Sequence, residues 1–219
     1  MRQSATSMES ELQPAELAAL QALLKSAQLR GTHLEVGTAA GGTLKELLRC
    51  YAPPRPRFVV VDSFRYFPNQ KEIVADNLRS AGIELADVDM RASDSESALA
   101  AATAAGEQFD FILIDANHQA RHVISDLRWA SLLRPGGYLC IHDYGPKFPG
   151  VTWATDRLLR NNPNYRRVSL TVSLVVIQKS ELSRRDEVGS MDLVMGKLLT
   201  PLHKLRHSIR KRLGGARIW

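Results

Sequence analysis

Glycine and acidic residues in the first third of the chain are spaced as in a site that binds a nucleoside. An apolar run leads into a turn with the spacing Gly37-x-x-x-Gly41-Gly42, and a second apolar run ends at Asp62. Glycine lets a backbone turn sharply off a strand and approach a ligand closely. An acid at the end of the next strand can accept hydrogen bonds from ribose hydroxyls. The pattern predicts a nucleoside-binding site where two parallel strands end.

The glycine spacing also bears on the kind of cofactor. It differs from the Gly-x-Gly-x-x-Gly pattern of dinucleotide enzymes, in which the N-terminus of the following helix binds a pyrophosphate. Glu35 precedes Gly37 by two residues and could accept a hydrogen bond from an ammonium, or position water beside it. The pattern therefore favours a sulfonium cofactor with an amino-acid end. A nicotinamide-dependent oxidoreductase is the alternative from another enzyme class.

A second group of polar residues follows two further apolar runs. Asp115 ends one run, and His142 and Asp143 end the next. Because the carboxyl ends of neighbouring parallel strands meet at one edge of a sheet, these side chains are expected to lie together. They could hold a divalent cation or a substrate hydroxyl. Either His118 or His142 could act as a general base near neutral pH.

Apolar periodicity predicts the elements that position these residues. Strand and helix patterns alternate, which predicts a parallel sheet with right-handed crossovers, and the last two strands are close enough to pair antiparallel. The predicted fold is a doubly wound, Rossmann-like α/β fold with a seven-stranded, mostly parallel sheet, a terminal antiparallel hairpin and a C-terminal basic amphipathic helix. The predicted strands are 32–37, 57–62, 86–91, 109–115, 137–142, 165–170 and 173–179. The predicted helices are 14–29, 42–50, 69–81, 95–105, 119–132 and 151–161.

Length and composition predict one catalytic domain with flanking segments. A chain of 219 residues can form one sizeable core. The predicted organisation is a disordered N-terminus at 1–9, the domain at 10–180, a linker at 181–190 and a basic amphipathic helix at 191–219. Two cysteines are too few for a disulfide framework, and neither a signal peptide nor an apolar run of membrane-spanning length is visible. A cytoplasmic protein is expected.

The C-terminal segment carries the positive charge of the chain. Residues 197–219 contain seven Lys or Arg and no acid, whereas the rest of the chain has 29 − 7 = 22 basic and 23 acidic residues. Apolar residues recur there at three- and four-residue steps, namely Leu198, Leu202, Leu205, Ile209 and Leu213. Pro201 is expected at or near the first turn of this helix.

Three partners are open for the C-terminal helix. It could pack on its own domain or in a homodimer, or it could lie on an anionic membrane surface, which would place the protein at the inner membrane face. Specific nucleic-acid binding is the least favoured, because the basic segment lacks interleaved aromatic residues and the remaining chain is nearly neutral.

The motifs together resemble the class I S-adenosylmethionine-dependent methyltransferases. Within that class they are most similar to a bacterial group that includes macrocin O-methyltransferase and is similar to cephalosporin hydroxylase. The matching segments are Glu35-Val-Gly37-Thr-Ala-Ala-Gly41-Gly42-Thr43, Val61-Asp62-Ser63, Ile114-Asp115-Ala-Asn117-His118, Asp126-Leu127, Leu133-Arg-Pro135-Gly136-Gly137, His142-Asp143-Tyr144 and Gly150-Val151. They span roughly residues 30–180, and their order and spacing are more specific than any one of them.

The resemblance implies an enzyme of class EC 2.1.1 that methylates a hydroxyl of a small molecule or glycan. S-adenosylmethionine would be the cofactor, held by Glu35, Gly37, Thr38, Gly41, Gly42, Asp62, Ser63 and Asp115. Asp115 and Asp143 would lie where metal-using members bind magnesium, and the strand-end argument adds His142 to this ligand set. His118 would face the transferred methyl group, so the candidate catalytic residues are His118, His142 and Asp143.

Three positions depart from the pattern of the group. Ala116 replaces a common glycine, Ala120 replaces a common aromatic residue, and Tyr144 stands where catechol-type enzymes have asparagine. These departures concern the expected dependence on magnesium. They do not change any residue that is expected to hold S-adenosylmethionine. A metal-dependent hydroxylase-like relative on the same scaffold is a further alternative, because it would share the metal-binding acids. The loops at 63–70 and 144–151 are expected to form the rim of the acceptor pocket.

Overall fold

The central strands of the sheet are short apolar runs that are buried on both faces, as expected for parallel strands between two helical layers. The computed structural model describes residues 9–180 and 187–212. The strands are β1 (His33–Val36), β2 (Phe58–Asp62), β3 (Val88–Ala92), β4 (Phe109–Ile114), β5 (Leu133–Ile141), β6 (Tyr165–Thr171) and β7 (Leu174–Lys179). The first five strands are parallel, and β7 pairs antiparallel with both β5 and β6.

The order of the strands in the sheet is β3-β2-β1-β4-β5-β7-β6. The chain moves outward in one direction from β1 to β3 and then returns to the other side of β1 with β4. In sheets of this kind ligands bind outside the carboxyl ends of the strands, at the point where the order reverses. The topology therefore predicts a ligand-binding site at the carboxyl ends of β1, β2, β4 and β5.

Two apolar clusters cover the faces of the sheet. One face packs against α1 (Pro14–Ala27), α2 (Gly42–Leu48) and α3 (Gln70–Ser80). The other face packs against α4 (Ser95–Ala104), α5 (Ala120–Asp126) and α6 (Pro149–Asn161). A final helix, α7 (Ser190–Arg212), packs on α5 and α6. No helix of the described part of the chain has the length and apolar character needed to cross a bilayer.

The predicted fold class is confirmed, and the differences are confined to element boundaries. The predicted helix 119–132 is α-helical only to Asp126 and continues as a 3-10 helix at Leu127–Leu132. β5 begins four residues before its predicted start, because the Pro-Gly-Gly turn is absorbed as an irregularity in its pairing with β4. Gly137 permits this pairing, since a Cβ there would lie 2.8 Å from the Asp110 carbonyl oxygen.

The prediction that Pro201 lies near the first turn of the C-terminal helix is wrong. α7 begins at Ser190 and contains Pro201 in its interior. The part of the helix before Pro201 is stabilised by its packing on α5. Gly196 lies so close to α5 that a Cβ added to it would be 2.7 Å from Ile124 Cγ2. The Thr200 hydroxyl also accepts a hydrogen bond from the Arg121 backbone at 3.1 Å. The last part of the predicted helix, residues 213–219, lies outside the described residues, as do residues 1–8 of the predicted disordered N-terminus and 181–186 of the predicted linker.

The chain is packed for several residues before α7 begins. Glu187 and Val188, which fall in the predicted linker, are both buried. The Glu187 carboxylate accepts a hydrogen bond from the buried Lys179 ammonium at 3.1 Å, and its carbonyl oxygen accepts one from the Asn162 amide at 2.9 Å. These contacts attach the start of α7 to the end of the sheet.

Candidate active site

The turn between β1 and α2 leaves no space for side chains at its glycines. Gly37 has a φ of +85°, and a Cβ built on it would lie 2.4 Å from the Asp115 carbonyl oxygen. Gly41 is the N-cap of α2 with a φ of +84°. A Cβ on Gly42 would lie 2.2 Å from the Glu9 carbonyl oxygen. The turn is thus enclosed by the loop after β4 on one side and by the N-terminal segment on the other.

Gly37→Ala is expected to destabilise the protein by about 2–4 kcal/mol, because the new methyl group meets backbone atoms in addition to a left-handed φ. Gly82→Ala is a matched control, since Gly82 has a φ of +72° and a Cβ built on it has no described atom within 4 Å beyond Gly82 itself and its two chain neighbours. The control should lose only about 1–2 kcal/mol, the conformational part of the effect. Urea unfolding measures both variants. Equal losses would show that the close approach at Gly37 is not required.

Asp62 is fixed by backbone hydrogen bonds at the end of β2. Its Oδ2 accepts from the Thr38 backbone N–H at 3.0 Å, and its Oδ1 accepts from the Phe64 backbone N–H at 2.7 Å. The Gln70 side-chain amide donates to the Ala39 carbonyl oxygen at 3.0 Å and so holds the same turn. A carboxylate oxygen can accept more than one hydrogen bond. Asp62 is therefore a rigid acceptor beside the glycine turn.

A small acidic cavity lies beneath the glycine turn. Glu35 is 1% exposed, and burial, together with the charges of Asp115 and Asp62, raises its pKa to about 8. Its Oε2 has no hydrogen-bond partner among the described residues. Glu35, Asp115, Glu9 and Glu11 line a cavity of about 30 Å³, which has room for a water-sized group. With a pKa of about 8, Glu35 is mostly protonated at neutral pH, and a cation bound beside it would favour its ionised form. The acidic cluster therefore suits a cationic group better than a phosphate.

His142 follows β5 and lies among three carboxylates. Its Nδ1 is 3.0 Å from Asp115 Oδ1 and 3.7 Å from Asp143 Oδ2, and its Nε2 is 3.2 Å from Glu16 Oε2. Burial would lower the pKa of His142, but the hydrogen bond to Asp115 and the three negative charges raise it to about 9. His142 is therefore protonated at neutral pH and donates an N–H to a carboxylate at each ring nitrogen.

Glu16 on α1 is a site residue that the sequence reasoning missed. It is fully buried and accepts hydrogen bonds from the Ser173 backbone N–H at 2.8 Å, the Ser173 hydroxyl at 2.6 Å and the Gln13 backbone N–H at 2.8 Å. Burial would raise the pKa of Glu16, but these hydrogen bonds and the His142 charge lower it. The local sequence shows Glu16 only as part of a helix cap. It does not show that this helix begins beside β5.

Protonated His142 is expected to stabilise the fold, and the protein is therefore expected to become less stable as the pH rises above 6.5. The folded protein holds this proton up to a pKa of about 9, whereas an ordinary histidine loses it near 6.5. The stabilisation is therefore complete below pH 6.5 and is lost as the pH rises through about 9, with a magnitude on the order of 2–3 kcal/mol. Urea unfolding of the wild type and His142→Gln from about pH 6 to pH 10 measures it. A difference between the two proteins that stays constant over this range would contradict a protonated His142.

His118, in the loop after β4, pairs with Asp143. Its Nε2 is 2.7 Å from Asp143 Oδ2, and its ring stacks on Phe148 with the centroids 4.1 Å apart. Burial would raise the pKa of Asp143, but the hydrogen bond from His118 and the nearby positive charges of His142 and Lys147 lower it. His118 does not cap α5, whose N-cap is Gln119. Its side chain is 42% exposed and faces the open cleft.

The predicted metal ligands do come together. One ligand atom from each of Asp115, His142 and Asp143 can be chosen so that all three lie within 4.8 Å of one another. The two carboxylates suit a hard divalent cation. His142 does not suit it at neutral pH, because a doubly protonated imidazole has no lone pair to offer. A cation held by Asp115 and Asp143 would, however, lower the pKa of His142 and free its lone pair. The residues present therefore do not decide whether a metal binds, and magnesium dependence stays a prediction.

Most of the predicted site residues face one open cleft of about 970 Å³ at the carboxyl ends of the strands. Those that line it are Gly37, Thr38, Asp62, Ser63, Asp115, His118, His142 and Asp143. Glu35 and Gly42 line the adjoining acidic cavity, and Gly41 shapes the turn as the helix N-cap. The rim includes Arg65, Tyr66, Lys147 and Phe148, from the two loops predicted to contact an acceptor.

Comparison with known proteins identifies relatives of this chain in sequence and in fold. A family model described as a methyltransferase domain matches residues 34–144. The O-methyltransferase from Bacillus cereus, solved in complex with SAH, is 23% identical and has a TM-score of 0.62, and the match covers 77% of this chain and 83% of that one. No curated protein matches the sequence.

Two further solved structures have the same fold. TomG from Streptomyces achromogenes, an O-methyltransferase of tomaymycin synthesis solved with SAM, is 20% identical over 77% of this chain and 81% of its own, with a TM-score of 0.63. CalS11, a TDP-rhamnose 3'-O-methyltransferase, is 17% identical over 74% and 78% of the two chains, with a TM-score of 0.59. At such identities the likeness establishes the fold, and the chemistry must be argued from the site.

Proposed function

This chain belongs to the methyltransferase-domain family, whose model spans just over half of its 219 residues, and we propose that it is an S-adenosylmethionine-dependent O-methyltransferase acting on a small molecule or a glycan. One observation carries the proposal. An acid-lined glycine turn and an ionised Asp143 paired with His118 open into the same cleft. The first feature suits a cationic nucleoside cofactor, and the second suits the deprotonation of a hydroxyl.

The charges at the glycine turn support this cofactor. S-adenosylmethionine is positively charged at its ammonium and sulfonium groups, whereas a nicotinamide dinucleotide carries a negatively charged pyrophosphate. Glu35 and Asp115 would hold the ammonium, because Glu35 Oε2 lacks a partner among the described residues and both acids line the small cavity. Asp62 would accept the ribose hydroxyls. When bound, the cofactor supplies an electrophilic methyl group.

His118 is the residue that we assign as the general base. Asp143 accepts the Nε2–H of His118, which leaves the lone pair on Nδ1 to accept the proton of an acceptor hydroxyl. The Asp143 carboxylate then stabilises the imidazolium that forms. His142, the other predicted base, is already protonated at neutral pH. We assign it to holding Asp115 and Asp143 in place.

The rim of the cleft supports an anionic, ring-bearing acceptor. Arg65 and Lys147 bring positive charge, and Tyr66 and Phe148 bring aromatic surface. A sugar linked to a nucleotide has both properties, and among the similar folds CalS11 is a TDP-rhamnose methyltransferase. We place the chain in the bacterial group of macrocin O-methyltransferase on its motifs alone.

The metal-dependent hydroxylase-like alternative rests on the same three residues as the magnesium prediction. It is not favoured, because the family matched is a methyltransferase domain. The nicotinamide oxidoreductase is not favoured either, since the acids of the small cavity would repel a pyrophosphate. A cytoplasmic location remains a prediction from the composition.

Transfer of labelled methyl from S-adenosylmethionine tests the proposed function. Nucleotide sugars, phenols and carboxylic acids are offered to the full-length protein, in parallel reactions with magnesium and with chelator. We expect label on a hydroxyl oxygen, most readily in the nucleotide sugars, and retained activity with chelator. Label found only on carboxyl groups would contradict the assignment of a hydroxyl acceptor, and label found only on nitrogen would contradict O-methylation. Activity that requires magnesium would contradict a metal-free mechanism and assign Asp115 and Asp143 to a metal.

A further inference from the structure

The outer face of α7 is apolar and faces solvent. Five side chains along it are at least half exposed: Met191 at 66%, Val194 at 50%, Leu198 at 61%, Leu202 at 59% and Leu205 at 59%. They follow one another at steps of three and four residues, which places them on one side of an α-helix. We call these five residues the outer stripe. It extends over about 20 Å of helix.

The opposite face of α7 is occupied by the domain itself. Gly196 lies against α5, the buried Thr200 bonds to the Arg121 backbone, and Asp192 pairs with Arg157 of α6. These contacts fix the rotation of the helix about its axis. The outer stripe therefore points away from the protein, and turning the helix to bury it would break the contacts with α5 and α6.

The charge of residues 197–219 indicates what kind of surface covers the outer stripe. Residues 197–219 contain seven basic residues and no acid, and Lys197 and Lys204 are exposed on α7. A second copy of this helix would bring like charges together with no acid of the segment to offset them. An anionic surface would meet the basic residues favourably, while its apolar interior received the leucines. This is the pattern of a helix that lies in the plane of a membrane interface.

We propose that α7 attaches this protein to the surface of a lipid bilayer that contains anionic lipids. The outer stripe inserts at the boundary between headgroups and acyl chains, and the basic residues contact the lipid headgroups. Binding then depends on both apolar area and negative lipid charge. The inference is independent of the proposed enzymatic function, since it uses no residue of the cleft.

Flotation with vesicles tests the proposal on the full-length protein. The vesicles are of phosphatidylcholine alone or of phosphatidylcholine with phosphatidylglycerol. We expect binding to the anionic vesicles that is at least tenfold tighter than to the neutral ones, and that weakens as salt is added. Leu198→Ser/Leu202→Ser should lower binding roughly tenfold or more, and Lys197→Glu/Lys204→Glu should do the same.

A control variant removes exposed apolar side chains on β6, which is not part of the proposed membrane-binding surface. Val168→Ser/Leu170→Ser changes side chains that are 48% and 47% exposed on β6, and it should leave vesicle binding unchanged. Thermal melting of each variant establishes that the fold is intact. Equal binding of neutral and anionic vesicles, or no loss in the α7 variants, would overturn the proposal. So would a dimer in light scattering that Leu198→Ser/Leu202→Ser dissociates, because a second copy would then cover the outer stripe.

Discussion

Replacing His118 with alanine is expected to lower kcat by about 10²–10⁴-fold, the range for loss of a positioned general base. The affinity for S-adenosylmethionine should stay within about twofold, because His118 is assigned to the acceptor's proton and not to the cofactor. The half-exposed ring contributes little to the core, so melting should change little. Rapid-quench measurement of labelled methyl transfer at saturating cofactor gives kcat, and calorimetric titration gives the affinity.

The Asp143→Asn variant tests whether Asp143 and His118 act as one catalytic pair or contribute independently to kcat. An amide has nearly the shape of the carboxylate but cannot stabilise a positively charged His118, so this variant should also lose most of kcat. Residues that act as one unit give non-additive losses. The double variant His118→Ala/Asp143→Asn should therefore be about as slow as the slower single variant. Losses that multiply in the double variant would show that the 2.7 Å contact between the two side chains is not a functional unit.

Asp62→Ala is expected to weaken the binding of S-adenosylmethionine and S-adenosylhomocysteine by roughly 10- to 100-fold. The physical reason is the loss of hydrogen bonding from the ribose hydroxyls to a charged acceptor, which contributes about 1.5–3 kcal/mol. Asp62→Asn keeps one oxygen acceptor and should fall between the wild type and the alanine variant. Calorimetric titration with both ligands measures the three affinities.

Asp76→Ala is the matched control for this loss. Asp76 is an exposed aspartate on α3, paired with Arg79 at 2.7 Å, and it is not among the residues that line the cleft. Because Asp62 also accepts from the Thr38 and Phe64 backbones, melting of each variant must accompany the titrations. Unchanged affinity in a folded Asp62→Ala protein would remove Asp62 from the cofactor site.

The residues at the ends of strands could be predicted because their placement follows from the fold. Asp62, Asp115, His142 and Asp143 each follow a run of apolar residues, and the carboxyl ends of parallel strands meet at one edge. The glycine turn was predictable for a related reason, since Gly37 and Gly41 need positive φ values. Each of these inferences uses a local pattern and one rule of sheet geometry.

Glu16 and the course of α7 could not be predicted in this way. Glu16 contacts Ser173, which lies 157 residues further along the chain, and His142, which lies 126 residues further. No local periodicity records such contacts. Pro201 was misplaced because propensity favours proline at a first turn, whereas the packing of Gly196 and Thr200 on α5 outweighs that preference here.

Calorimetric titration of the wild-type protein with S-adenosylmethionine, S-adenosylhomocysteine and NAD tests the central claim most directly. The acid-lined glycine turn and the Asp62 carboxylate predict micromolar binding of the two sulfur-containing nucleosides and no measurable binding of NAD. Binding of NAD, or the absence of binding by both sulfur compounds, would contradict the assignment of the turn and with it the proposed methyl transfer.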